Sequence, residues 1–352
     1  MRDARLSTDF LVSRISPLAS IYFLLFPFSI LKAQDAQFTQ FYASPLVQNP
    51  AFAGSALAPR LFAHYRTQWP GTGAPFKTYT FSGDHHVRAY NFGLGFVFQA
   101  ERNPANTFNS TGIHAQYAYH AKLTQRWSMN FGGQIGYVER NLGYSGLVFP
   151  NQIDDFGRLV SQGSDPLLES APQSRFVDLS LGSLIYNPTN WVGATLHHAN
   201  NPSQENQGLL ERLPRRLTVT AGHVFYLNGD EPDGLLKTDL PPSITVAMLY
   251  RRQLKFQQVD VGAYYHLAPF VAGIWYRGLP VLGGAEGVFN QDAVSALVGL
   301  RQDNLSIGYS YDYNLSGIVG TFGGSHEISL SYTFDRPGPK KKKQRALPCP
   351  SY

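Results

Sequence analysis

The chain has 352 residues, only 15% of them charged and 14% aromatic, with 33 Gly, 20 Tyr and 24 Phe. An average soluble domain carries about 25% charged residues, and glycine and aromatics make mediocre helix, so a disordered charged chain and a long-helix protein are both excluded. The net charge of +5 belongs to the two ends: without residues 1–33 and 335–352, 19 basic and 21 acidic residues remain, which leaves no basic face for nucleic acid.

Residues 1–33 read as a secretory signal peptide. Arg2, Arg5 and Arg14 form the basic n-region, Ile21–Leu31 the apolar core, and Ala33 a small residue at a cleavage point. The 17 uncharged residues between Arg14 and Lys32, interrupted by Pro17 and Pro27, are short for a membrane-spanning helix. The mature chain is expected to open at Gln34. Its single cysteine, Cys349, permits no internal disulfide.

Residues 34–58 are dense in Gln, Pro and aromatics and show no helical period. Pro45 and Pro50 would interrupt a ladder and hold the residue before each in extended geometry. Phe38, Phe41, Tyr42 and Phe52 are too apolar to remain in water. This stretch is expected to plug or line the lumen of a barrel, or to close its periplasmic mouth.

From residue 59 to 334 the period is two. Phe92, Leu94, Phe96 and Phe98 alternate with Gly93, Gly95, Val97 and Gln99; Leu305, Ile307, Tyr309, Tyr311 and Tyr313 alternate with Ser306, Gly308, Ser310 and Asp312. In a strand these sets point to opposite faces, one fit for lipid and one for a wet lumen. Such segments lie near 60–69, 77–88, 91–101, 109–122, 126–140, 176–187, 191–199, 215–227, 243–253, 256–267, 270–279, 292–301, 304–314 and 325–334. The reading is an all-β fold: a transmembrane antiparallel β-barrel of about fourteen strands. Most segments have the roughly 9–11 residues a tilted strand needs to cross a bilayer. A soluble β-sandwich also alternates, but its outer face would need more charge than these Ser, Thr, Gly, Asn and Gln provide.

Short links follow even strands and longer loops follow odd ones, the asymmetry of outer-membrane barrels. The largest loop, Leu142–Arg175, is therefore expected outside the cell, with both termini periplasmic. Two connections break the rule, the long 228–242 and the short Leu254-Lys255, and they suggest a slipped register there. Trp69, Trp127, Trp191, Tyr250, Trp275 and Tyr276 stand at strand ends and suit interfacial girdles.

No catalytic or metal constellation emerges, and no cofactor is expected. His85-His86 and His197-His198 are adjacent pairs, which a regular strand sends to opposite faces. Asp154-Asp155, Asp165 and Glu169 lack the pattern of a calcium loop, and no Gly-x-Ser-x-Gly elbow occurs.

The strand Ser325–Phe334 alternates strictly and ends on an aromatic, in the form of a closing barrel strand. Residues 335–352 follow as a basic periplasmic tail, with Lys340, Lys341, Lys342 and Lys343 and then Cys349-Pro350. Pro337 and Pro339 forbid further ladder pairing, and four lysines cannot enter hydrocarbon cheaply.

The stretch Gln37–Gly54, carrying Phe38, Gln40, Tyr42, Pro45, Asn49, Pro50, Ala51 and Gly54, closely resembles the N-terminal signature of the PorP/SprF family. Ser325–Phe334 and the basic tail with its Cys-Pro end are similar to that family's C-terminus, although Ser351 and Tyr352 stand where a basic residue and Phe are expected. The resemblance implies a non-catalytic outer-membrane component of the type IX secretion system of Bacteroidota, supporting export or surface anchoring of a secreted adhesin-like protein. Its partners would be that cargo at the outer side, periplasmic secretion components through the tail, and outer-membrane lipid, with no nucleic acid. The rival reading is a transport barrel for a small or hydrophobic solute.

Overall fold

The computed structural model describes residues 37–40, 43–103, 109–141, 153, 158, 173–206, 209–227, 241–254, 256–278, 293–315 and 323–334. Its strands are β1 (Arg60–Gln68), β2 (Phe76–Val87), β3 (Phe92–Arg102), β4 (Asn109–Lys122), β5 (Ser128–Asn141), β6 (Gln173–Tyr186), β7 (Asn190–His197), β8 (Ser203–Asn206), β9 (Leu209–Arg212) and β10 (Arg216–Tyr226). They continue with β11 (Ser243–Gln253), β12 (Phe256–Leu267), β13 (Phe270–Arg277), β14 (Ala293–Gln302), β15 (Leu305–Asn314) and β16 (Ser325–Thr333). All but β8 and β9 form one closed barrel in which each strand pairs antiparallel with its neighbours, and β16 returns to β1 through Arg60↔Thr333 to Gln68↔Ser325. The barrel therefore has fourteen strands. Closure removes every free edge that a sheet in lipid would otherwise expose. The pair β8–β9 is a small separate hairpin between β7 and β10.

The alternation sets the two faces. Ile113, Ile135, Leu181 and Ile274 point outward and are 57–62% exposed, a lipid-facing belt of large apolar side chains. Gln116, Asn130, Ser180 and Ser310 point inward and are buried. Among the described residues no helix is long and apolar enough to cross a membrane; the strands make the crossing.

The register does not slip at the two irregular connections. Arg216↔Gln253 to Tyr226↔Ser243 joins β10 to β11, and Gln253↔Phe256 to Ser243↔His266 joins β11 to β12. Leu254 takes φ 54° and supplies the left-handed step that so tight a reversal needs. Asn91 and Asp303 do the same in two short turns at φ 52° and 51°, where Asn and Asp tolerate that conformation well.

The aromatic girdle needs correcting. Trp69 and Trp127 are exposed at strand ends, but Trp191 and Trp275 point inward and are buried. Strand parity explains this, because Trp191 shares a face with Gly193 and Thr195, and Trp275 with Gly273 and Arg277. Each indole also lies against a glycine of the next strand: a Cβ on Gly222 would stand 2.1 Å from the Trp191 ring, and one on Gly262 2.2 Å from Trp275.

Residues 38–40 and 43–58 lie inside the barrel against its inward side chains. Within this segment Pro45–Gln48 forms one turn of α-helix and Pro50–Phe52 one 3-10 turn, each opened by its proline, which is preorganised for a first helical position. Leu46, Phe52, Ala51 and Ala53 join Leu184, Trp191, Leu249, Tyr264 and Trp275 in a single apolar cluster inside the barrel.

Candidate functional site in the lumen

Among the described residues nine Arg, Asp or Glu side chains are buried, and β1 supplies two of the arginines together with His64. Its inward positions Arg60, Phe62, His64 and Arg66 are all buried. A charge inside a barrel wall must find a partner or water, and each of these finds both a partner strand and residues 38–58.

Arg66 is the centre of the first cluster. Its guanidinium donates to Glu327 Oε2 at 2.6 Å on β16, which pairs with β1, and to Asp312 Oδ2 at 2.8 Å on β15 beyond it. Glu327 in turn accepts the backbone N–H groups of Thr39 (2.9 Å) and Gln40 (2.7 Å). The Thr39 hydroxyl donates to Asp312 (2.7 Å) and accepts from Arg66 (2.9 Å) and Arg277 (2.6 Å). The Gln40 amide spans Ser310 and the Glu327 carbonyl and accepts from Ser329. Arg277 links the cluster toward Asp260, which Arg251 and Gln258 also contact. Buried ion pairs are weak evidence of stability, but removing one partner is strongly destabilising. This cluster fixes position.

Arg60 centres the second. It binds the Asp84 carboxylate in bidentate fashion, at 2.9 and 2.7 Å, and donates to Phe52 O and Ser55 Oγ. Asp84 Oδ2, one of the two oxygens that Arg60 binds, also accepts the Gly54 N–H at 2.7 Å. Between the clusters the wall reaches in for the backbone of the segment: Gln116 donates to Leu46 O, Asn130 to Ala51 O, and His120 and His197 meet Ala53 O and Gln48 O.

Inward glycines make the room. A Cβ on Gly93 would lie 2.0 Å from Ala53 O, one on Gly132 2.2 Å from Ala51 N, and one on Gly182 2.0 Å from Asn49 Oδ1. Gly54 itself takes φ +72° with its own Cβ position 2.6 Å from the Gly93 backbone. Only glycine pairs permit so close an approach of two backbones.

The sequence-selected positions fall into this arrangement as follows. Phe38 is buried and stacked on His64 at 4.7 Å. Gln40 is in the Glu327 cluster. Pro45 and Pro50 open the two helical turns. Asn49 accepts from the Ala51 N–H and donates to the carbonyls of Ser183 and, at 3.4 Å, Ala194. Ala51 and Gly54 lie against Gly132 and Gly93. Tyr42, Lys340, Lys341, Lys342, Lys343, Cys349 and Pro350 lie outside the described residues, as do Phe41, Asp154-Asp155, Asp165 and Glu169. Sequence reasoning missed Arg60, His64, Arg66, Asp84, Asp312 and Glu327. The available signal was their parity, since charged residues on the small, polar side of a membrane strand demand partners.

His85 points outward and His86 inward. His197 and His198 behave differently, because β7 ends at His197 and His198 turns back at φ 55° to meet Asp178 at 2.8 Å. Among the described residues no group of three or more His, Cys, Asp or Glu could hold a metal ion.

The model of the type IX secretion system membrane protein PorP/SprF family matches residues 30–332. The chain belongs to the PorP/SprF family. It is accordingly a non-catalytic, outer-membrane β-barrel component of the type IX secretion system. A comparison with curated proteins finds no match. Among solved structures, the PorP/SprF barrel is similar to the Pseudomonas putida toluene transporter TodX, with 11% identity over 83% of this chain and 94% of that one, at a TM-score of 0.44. It is similar to the KdgM porin at 8% identity over 78% and 99%, TM-score 0.37. CdiB from Acinetobacter baumannii aligns at 7% identity over 79% and 60%, TM-score 0.42.

One contact set in this PorP/SprF protein imitates catalysis. Ser44 Oγ lies 2.6 Å from His64 Nδ1, and His64 Nε2 lies 2.7 Å from Glu327 Oε1, which is the order of a Ser-His-acid relay. Ser44 is fully buried, and the second Glu327 oxygen is taken by Arg66 and Thr39. The relay is a bracket holding the segment to the wall.

Proposed function

We propose that this PorP/SprF barrel acts as a closed platform in the outer membrane, holding or receiving a secreted surface protein rather than conducting a solute. The observation that carries the reading is that residues 38–58 are bonded to inward side chains from one end of β1 to the other. A lumen occupied in this way leaves binding to the loops and the tail. In this reading residues 34–58 are the plug, residues 59–334 the barrel, and residues 335–352 a periplasmic docking tail for the secretion apparatus. A short basic peptide ending in Leu-Pro-Cys-Pro joins charge steering to a small apolar anchor, which suits an acidic groove.

Planar bilayers test the closed lumen. The purified full-length barrel should give no steady conductance, and a variant lacking residues 38–58 should give open pores. Steady pores from the full-length protein would favour the transport reading instead.

A further inference from the structure

We propose that residues 38–58 thread the lumen lengthwise, so that toward its amino end the mature chain leaves the barrel at the mouth carrying the long loops. The inference rests on the reading that the segment stays inside the folded barrel. It departs from the expectation of two periplasmic termini.

Strand β1 serves as the ruler. Arg60, its first residue, bonds Phe52 O and Ser55 Oγ, and Asp84 opposite it in β2 takes the Gly54 N–H. Six residues on, Arg66 bonds Thr39, and Glu327 opposite it in β16 takes the Thr39 and Gln40 N–H groups. Six strand residues span roughly 20 Å along the strand, about 15 Å along the axis of a barrel whose strands tilt by about 40°, so the segment follows most of the length of β1 between Gly54 and Thr39.

The direction follows from the connections. Arg66, Arg277, Asp312 and Glu327 all stand within two residues of the strand ends that lead into 69–75, 278–292 and 315–324. Asp84, His120 and Asn130 stand near the ends joined by the short turns 88–91 and 123–127, and Arg60 pairs with Asp84 at that same mouth. By the ordinary rule the long loops face outside and the short turns face the periplasm. The carboxyl-terminal strand ends at the other mouth, where Phe334 donates its N–H to Pro59 O. Thr39 and Phe334 thus stand toward opposite mouths.

The test uses the full chain in a Cys349→Ser background with one reporter cysteine at a time, labelled on intact cells by a membrane-impermeant maleimide. The reporters are a Gly-Ser-Cys-Gly-Ser insertion between residues 36 and 37, Ala285→Cys in the connection 278–292, and Gln125→Cys in the turn 123–127. Heat-modifiability on gels confirms that each barrel is folded. The insertion should label with Ala285→Cys and not with Gln125→Cys. Labelling that follows Gln125→Cys would overturn the inference. If the loop and turn reporters exchange accessibility, the barrel orientation is inverted, and threading is still judged by which of the two the insertion follows. A second variant guards against a disruptive insertion: Gln40→Cys with Ser310→Cys, joined by a short thiol-specific cross-linker that replaces the length of the Gln40 side chain and its 3.0 Å bond to Ser310. Treatment of membranes should bridge the two cysteines internally in most molecules, and the absence of a bridge from folded barrel would overturn the inference. Conductance reports on the closed platform independently of either labelling result.

Discussion

Replacing Gly93 and Gly132 by alanine should loosen the lumen segment without opening the barrel. A methyl at Gly93 would lie 2.0 Å from Ala53 O and one at Gly132 2.2 Å from Ala51 N, where ordinary contact needs about 3.5 Å. Both neighbours are backbone atoms, so no side chain can swing aside, and the segment itself must move by more than 1 Å. Overpacking of this kind costs about 1–3 kcal/mol per site. Each glycine should therefore raise the population of displaced segment by about 5- to 150-fold. The ladders β2–β3–β4 and β4–β5–β6 keep their backbone bonds, so heat-modifiability should survive. Gly133→Ala is the control, since a Cβ there meets nothing within 4 Å. The assay is limited proteolysis of detergent-folded barrel, with cleavage between residues 38 and 58 followed by mass spectrometry. Equal cleavage rates for the Gly93/Gly132 double variant and the Gly133 control would refute the packing of the segment against these strands.

Three further outcomes are expected. Glu327→Ala removes the acceptor of Thr39, Gln40, His64 and Arg66, a buried loss of about 3–5 kcal/mol; proteolysis should begin near residue 40 before residues 51–55 become accessible, and an unchanged digest would contradict this. Ile135→Arg places a charge on the lipid face between Ala115 and Leu179 and should destabilise folding into liposomes by about 2–4 kcal/mol, measured by urea titration; an unshifted midpoint would move Ile135 out of the belt. Removing residues 336–352 should leave an inserted, heat-modifiable barrel while export or display of the cargo is lost, and normal display would reduce the tail to a solubilising extension.

The strands were legible because lipid and lumen demand opposite chemistries at alternating positions. Phe92, Leu94, Phe96 and Phe98 point outward, as their alternation with Gly93, Gly95, Val97 and Gln99 requires, and β10–β12 follow the segments read from sequence even where loop lengths were irregular. The lumen cluster was not legible. Glu327 lies 263 residues from His64 and 261 from Arg66, and only closure of β16 onto β1 brings them together. The glycines read as generic small lumen residues, whereas Gly93, Gly132 and Gly182 each face a particular atom of the segment. Trp191 and Trp275 were misplaced because position near a strand end outweighed parity. Parity, set by the backbone, decides the face.

If this barrel serves secretion as a binding component, its loss should show in the surface proteome. The gene would be deleted, and proteins shaved from intact cells by protease would be quantified against wild type and a complemented strain. One or a few large secreted proteins should disappear from the surface and return with the full-length chain. An unchanged set of surface proteins, together with lost uptake of a small solute, would contradict that role.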